Sequence, residues 1–217
     1  MTNRNPFGPD LRLLEQRLRE ERPGLRSQLK MVPEHRLSDR TYQEAGDTCL
    51  RAGVLVLIYP QEDGLHIVLT RRTTQMVHHQ DQISFPGGQM DEHESAIETA
   101  LREAEEELNV RPTEVRVLGE LTPLYIPPSN YCIYPVVAAA EKRPDFRPSP
   151  REVAEVIEVP LGHLLDAKNL KKETWPLRGL NVMVPFYSFQ GHKIWGATAM
   201  VLSELLDLIA ELKPVSP

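Results

Sequence analysis

The 217-residue sequence holds only two cysteines, Cys49 and Cys132, too few for a disulfide scaffold in a chain of this size and placed in no repeated metal-ligand pattern. A reducing cytoplasm is the simpler expectation. Positive charge is not in excess: Lys plus Arg number 25 against 31 for Asp plus Glu, a formal charge of -6, which disfavours a general binder of nucleic acid or anionic membranes. Long hydrophobic runs are missing too. The longest strongly apolar stretch, GVLVLIY at 53–59, is far below the roughly 20 residues that span a hydrocarbon core, and the charged amphipathic N-terminus is no secretory signal. With 41% hydrophobic and 26% charged positions and no repeat or low-complexity linker, the composition fits one folded domain with decorated loops.

What is present alternates between two periodicities. Leu11, Leu14 and Leu18 recur at helical spacing, predicting a peripheral helix over 9–21 that Pro23 and Gly24 stop. The N-terminal 1–29 therefore reads as a helical extension ahead of a domain over 30–217. Apolar runs at 52–59 and 65–70, separated by turn residues, predict two strands. Residues 95–108 lack Gly and Pro, and Ala96, Ile97, Ala100, Leu101, Ala104 and Leu108 give this predicted helix one apolar face. Further strands are expected at 115–118, 131–140, 153–159, 184–189 and 192–195, and a terminal helix at 199–212. Two amphipathic helices and several strands are accommodated by an α/β sandwich around a mixed sheet. An apolar stripe on a helix does not choose between a homodimer and a cover for the chain's own sheet.

The chemistry concentrates in GQMDEHESAIETALREAEEELNV at 88–110. On a helix, Glu103, Glu106 and Glu107 project into one neighbourhood, where a divalent cation can bridge carboxylates that otherwise repel. Mg²⁺ commonly joins a few carboxylates to substrate phosphates. A solvated acidic face is the simpler account of the spacing alone, as a plain loop is of Phe85-Pro86-Gly87-Gly88 alone. Together they describe a backbone cradle beside a cation site, able to polarise a diphosphate and position water.

In register, Gly88, Glu94, Arg102, Glu103, Ala104, Glu106 and Glu107 occupy the places of the Nudix hydrolase signature, which this segment closely resembles. The resemblance implies a Nudix-like α/β/α sandwich and a pyrophosphohydrolase acting on phosphoanhydride bonds. It implies Mg²⁺ or Mn²⁺ held by Glu103, Glu106 and Glu107, with Glu94 and Arg102 supporting loop and helix. Asn109 stands where the signature has glycine, and asparagine tolerates the left-handed cap that this position implies.

Upstream, 69–88 resembles the coenzyme A pyrophosphatase branch, with Asp81 in place of a glycine. That resemblance implies coenzyme A or acyl-coenzyme A as substrate, cut to 3′-phosphoadenosine 5′-phosphate and a 4′-phosphopantetheine product; the cytoplasm, with no nucleic acid or membrane as partner, is the expectation from composition. Arg71, Arg72, His79, Gln82, Gly87 and Gly88 are the expected substrate contacts, although two arginines at a strand end also suit plain surface charge. Asp81 adds charge near the phosphates and keeps ADP-ribose or another nucleotide diphosphate open as the substrate. A non-catalytic nucleotide-binding domain is the remaining alternative. Glu152 and Glu155 read as surface acids or as an additional metal contact, with no catalytic role assigned.

Overall fold

In this computed structural model the described residues are 10–34, 49–73, 82–177 and 179–212. They form an α/β sandwich with a central mixed sheet. Its strands are β1 (Leu50–Gln61), β2 (Gly64–Arg72), β3 (Ile83–Ser84), β4 (Gly87–Gln89), β5 (Val115–Glu120), β6 (Leu124–Ile126), β7 (Tyr131–Ala140) and β8 (Val153–Pro160). The main path runs β3-β2-β1-β7-β5, with β4 on β1, β6 on β7 and β8 on β2. Among the described residues only β1 and β7 pair in parallel, which is what makes the sheet mixed.

The unbroken apolar run of β1 has a simple cause: both faces of this central strand are covered. Side chains alternate across a strand, so Leu55, Leu57 and Tyr59 join one buried cluster while Val56 and Ile58 join the other. The first cluster is closed by α3 (Ala96–Leu108) through Ala96, Ala100, Ala104 and Leu108. The second is closed by α1 (Leu11–Arg19), through Leu14 and Leu18, and by the terminal α5 (Gly196–Glu211), through Leu202, Leu205 and Ile209. Between them lies the single-turn α2 (Leu25–Gln28), and α4 (Leu161–Leu165) follows β8.

A second sheet of three strands, β11-β10-β9, comprises β9 (Leu170–Leu177), β10 (Leu180–Phe189) and β11 (His192–Ile194). Gln190 (φ 48°) and Gly191 (φ 84°) turn the β10–β11 hairpin, both in the left-handed region that two-residue hairpin turns require. The expectation of one sheet omitted this second layer, because most of β9 is exposed and carries no alternating pattern.

The cysteine expectation also needs correction. Cys49 and Cys132 are joined in a disulfide across 83 residues of sequence, and no free cysteine remains. The cause is register: Cys132 pairs with Arg51 on the neighbouring parallel strand, which brings its side chain within reach of Cys49. A count of two cysteines carries no information about that adjacency. No helix among the described residues is long and apolar enough to cross a membrane.

Candidate active site

Local chemistry fixes α3 at both ends. Ser95 accepts a hydrogen bond from the Glu98 amide (3.2 Å) and Glu98 accepts one from the Ser95 amide (2.8 Å), a reciprocal capping box. Asn109 ends the helix at φ 62°, ψ 30°, and its N–H donates back into the last turn. The left-handed cap is thus made without glycine.

Before the helix, Glu94 gathers donors from three directions. It accepts from the Thr99 hydroxyl at 2.8 Å, from the Asp91 amide at 3.1 Å, and from Arg102 Nε and Nη2 at 2.7 and 3.0 Å. The Arg102 guanidinium, aided by Thr99 and Asp91, holds the Glu94 carboxyl down at about 2. Arg102 also donates to Glu103 (2.8 Å), to the Gln89 carbonyl (3.3 Å) and, at 3.4 Å, to Glu106. One guanidinium thereby ties the loop at 89–94 to the acidic face of α3.

The three carboxylates have unequal surroundings. Glu106 is mostly exposed and lies on Arg102. Glu103 is largely buried, and its carboxylate rests on the backbone of Gly88, where an added Cβ would come within 2.4 Å of it. Burial raises the Glu103 carboxyl, and Arg102 pulls it back. Glu107 is almost wholly enclosed: Oε1 has Arg72 Nη2 at 3.5 Å, and Oε2 has no partner. Burial, with the nearby charges of Glu103 and Glu152, pushes the Glu107 carboxyl up to about 8, against the pull of Arg72.

Gly88 and its neighbours on β4 sit in register on β1, Gly87 opposite Val54, Gly88 opposite Gly53 and Gln89 opposite Ala52. Gly53 in turn lets α3 approach, since a Cβ there would stand 2.6 Å from the Ala96 carbonyl. The two glycines of Phe-Pro-Gly-Gly therefore open a short strand between β1 and the acidic helix, with backbone where side chains would collide.

The other expected contacts divide. Arg72 comes into the site, donating to the Gly87 carbonyl at 3.2 Å as well as approaching Glu107. Arg71 turns to Glu155 instead, with Nε 2.8 Å from Oε2, and His192 approaches the other oxygen of Glu155 at 3.3 Å. Gln82 is exposed, and its carbonyl accepts the Arg72 amide at 3.1 Å. His79, like His78 and Asp81, lies outside the described residues.

The sequence leaves Glu152 open between a surface acid and an additional metal contact. Its charge acts on both Glu103 and Glu107, which places it beside the acidic pair. Sequence spacing does not choose between its readings, because it enters from the turn before β8, where its carbonyl accepts the Thr73 amide at 3.0 Å.

Among the described residues no group of three acidic, histidine or cysteine side chains stands close enough to grip a metal ion as placed. The donors nonetheless suit a hard divalent cation: a buried carboxylate oxygen on Glu107 without a partner, and the adjacent Glu103 carboxylate, raised by burial although Arg102 pairs with it, are oxygen ligands.

Comparison with known proteins shows the family. Residues 50–178 match the model of the NUDIX domain. A protein of Photorhabdus laumondii described as an uncharacterized Nudix hydrolase NudL is 39% identical over 144 residues, 66% of this chain and 76% of its own. A namesake from Yersinia pestis is 34% identical over 179 residues, 82% of this chain and 88% of its own. In fold, a crystal structure of the Nudix hydrolase RenU from M. smegmatis superposes with a TM-score of 0.50 at 19% identity, over 79% of this chain and all of that one. The chain belongs to the NUDIX family and is a pyrophosphohydrolase of phosphoanhydride bonds.

Proposed function

We propose that the protein hydrolyses the diphosphate of a small nucleoside-diphosphate derivative with Mg²⁺ or Mn²⁺ held by Glu103, Glu106 and Glu107. The observation that carries this reading is the partnerless, buried Glu107 oxygen beside Glu103 over the Gly88 backbone. A carboxylate there is costly alone and stable against a cation. A bound divalent cation would supply charge neutralisation at the diphosphate oxygens and a more acidic water. Arg102 and Glu94 keep the loop and helix in fixed relation, so the ligands need little reorganisation. Arg72 presents a guanidinium beside Glu107, suited to a phosphate oxygen entering next to the metal. Glu152 adds a fourth carboxylate, placed to orient water or complete the cation's shell. Arg71 belongs to this site only if substrate displaces it from Glu155.

The narrower substrate is coenzyme A or acyl-coenzyme A, on the strength of the residues at 69–88 that lead into the Gly-Gly turn. Asp81, where that pattern has glycine, favours ADP-ribose or another nucleotide diphosphate instead, by repelling an additional phosphate. A product-resolved panel of free and acylated coenzyme A, ADP-ribose and other nucleotide diphosphates, run with Mg²⁺ and Mn²⁺, decides between them. Metal-dependent release of 3′-phosphoadenosine 5′-phosphate supports the narrower substrate, and efficient cleavage of ADP-ribose alone replaces it. Glu106→Gln should lower kcat by at least about 100-fold with the fold intact. Unchanged turnover of that variant at saturating metal removes Glu106 from the cation site.

A further inference from the structure

We propose that the Cys49–Cys132 disulfide is a reversible modification site through which thiol–disulfide exchange sets the cation affinity of the acidic site. The inference rests on the cation-binding reading above.

The bond sits at a weak point of the sheet. At the start of β1, Leu50 is 42% exposed and Arg51 is exposed as well, so few buried contacts hold this end. What holds it is the pairing of Leu50 and Arg51 with Tyr131 and Cys132, the Leu50 amide on the Asn130 carbonyl at 2.9 Å, and the disulfide itself. The same end of β1 carries β4 on its other edge. Ala52 pairs with Gln89, and the Met90 amide donates to the Arg51 carbonyl at 2.8 Å. Cys49 is therefore three residues, roughly 10 Å of strand, from the Gln89 pairing.

From there the connection to the acidic site is short. The Tyr131 hydroxyl, beside Cys132, donates to Gln89 Oε1 at 3.4 Å, and the Gln89 carbonyl accepts Arg102 Nη2. Gly88, next along β4, supports the Glu103 carboxylate. With the bond made, β7, β1 and β4 are fixed in the register that puts Gly88 under Glu103. With it broken, the exposed end of β1 can part from β7 and release β4, and Glu103 loses the surface that aims it.

The two sulfurs are also unequally accessible. Cys132 is buried and Cys49 half-buried, so exchange begins at Cys49. The thiolate of a dithiol reductant attacks the Cys49 sulfur, forming a mixed disulfide there and expelling Cys132 as thiolate, which takes a proton. The reductant's second thiolate then attacks its own sulfur in the mixed disulfide and releases Cys49. Two electrons and two protons pass from the dithiol to the protein, and the dithiol leaves as its disulfide. With no third cysteine in the chain, no scrambled pairing competes.

The test uses the full chain in two states of one sequence: air-oxidised, and reduced with dithiothreitol and then desalted under argon. Mass spectrometry after alkylation counts the thiols. Amide hydrogen exchange and binding of Mn²⁺ alone are measured on both states, together with hydrolysis of the nucleotide-diphosphate panel. Reduction should speed exchange at residues 50–54 and 87–90 by at least about tenfold and leave the α5 amides protected. It should also weaken Mn²⁺ binding by about fivefold or more. Cys49→Ser should match the reduced protein in both measurements and ignore dithiothreitol. Two free thiols in the oxidised preparation, or equal exchange at 87–90 and equal Mn²⁺ affinity in the two states, overturns the proposal. Shifts in exchange and Mn²⁺ affinity without hydrolysis of any diphosphate uphold the exchange site and overturn the hydrolase reading instead.

Discussion

At Gly88 the missing side chain is what lets a metal ligand lie on the backbone. An added Cβ would meet the Glu103 carboxylate at 2.4 Å, but that carboxylate is the far end of a flexible side chain and can swing away. Gly88→Ala should therefore cost under about 1 kcal/mol of stability while displacing a ligand and lowering metal-dependent turnover by about tenfold or more. Urea denaturation beside a Mg²⁺ titration of the rate separates the two effects, and a variant with normal turnover refutes the placement of Glu103. Glu107 gives a prediction of opposite character. Its carboxyl is raised to about 8 in the fold from about 4.3 unfolded, so its contribution to stability is full below the unfolded value and is lost as pH rises through 8. Without divalent cation, the protein should lose stability between about pH 5 and about pH 8.5, and Glu107→Gln should lose less over the same window. Saturating Mg²⁺ should reverse the trend, because the cation favours the ionised carboxylate. Equal slopes for wild type and variant in EDTA would count against the enclosed Glu107.

At the scale of elements, the contact of β1 with α3 is set by a second glycine. A Cβ on Gly53 would stand 2.6 Å from the Ala96 carbonyl and 3.0 Å from Thr99 Cβ, and backbone cannot swing aside as the Glu103 carboxylate does. Gly53→Ala should cost about 1–3 kcal/mol, measured by urea denaturation, and more than Gly88→Ala does. If Gly88→Ala proves the more destabilising of the two, the close approach of helix to strand is misplaced. The contrast also explains what could be read in advance. The bounds of α3 were legible because its capping box, apolar face and Asn109 cap are interactions within a few residues. β1 was legible because burial on two faces leaves an unbroken apolar run. β4 was not, since its three residues become a strand only through partners on β1. Arg71 and Arg72 are chemically alike and adjacent, and only strand geometry sends one to Glu155 and the other to Glu107. The cysteine pair was hidden, and the choice between the two readings of Glu152 left open, for the same reason: each acts through a neighbour distant in sequence.

Across the whole molecule, buried polar ties join the N-terminal helices to the rest. Glu204 on α5 is fully buried and accepts from the Gly24 amide (3.2 Å), Gln28 Nε2 (2.8 Å), and the amide and hydroxyl of Thr122 (3.2 and 2.6 Å). These bonds assemble only in the folded chain, whereas the disulfide's contribution to global stability, apart from its local hold on β1, comes chiefly from restricting the unfolded chain. Closing a loop across 83 residues removes chain entropy equivalent to roughly 4 kcal/mol in the simplest account, and native disulfides commonly contribute about 2–4. For a chain of this size each kcal/mol moves the melting temperature by about 2–4 °C. Reduction should then lower Tm by about 4–16 °C. Since the bond restricts the unfolded chain, the loss should also appear as a lower urea midpoint in EDTA, where the acidic site is empty of cation. Calorimetry of the oxidised and reduced protein in EDTA makes the measurement. A Tm unchanged by reduction would mean that the β1–β7 pairing persists in the unfolded chain or that the crosslink constrains nothing there. Either result separates the bond's effect on global stability from its effect on the acidic site, because no cation is bound in EDTA to add its own stabilisation to one state.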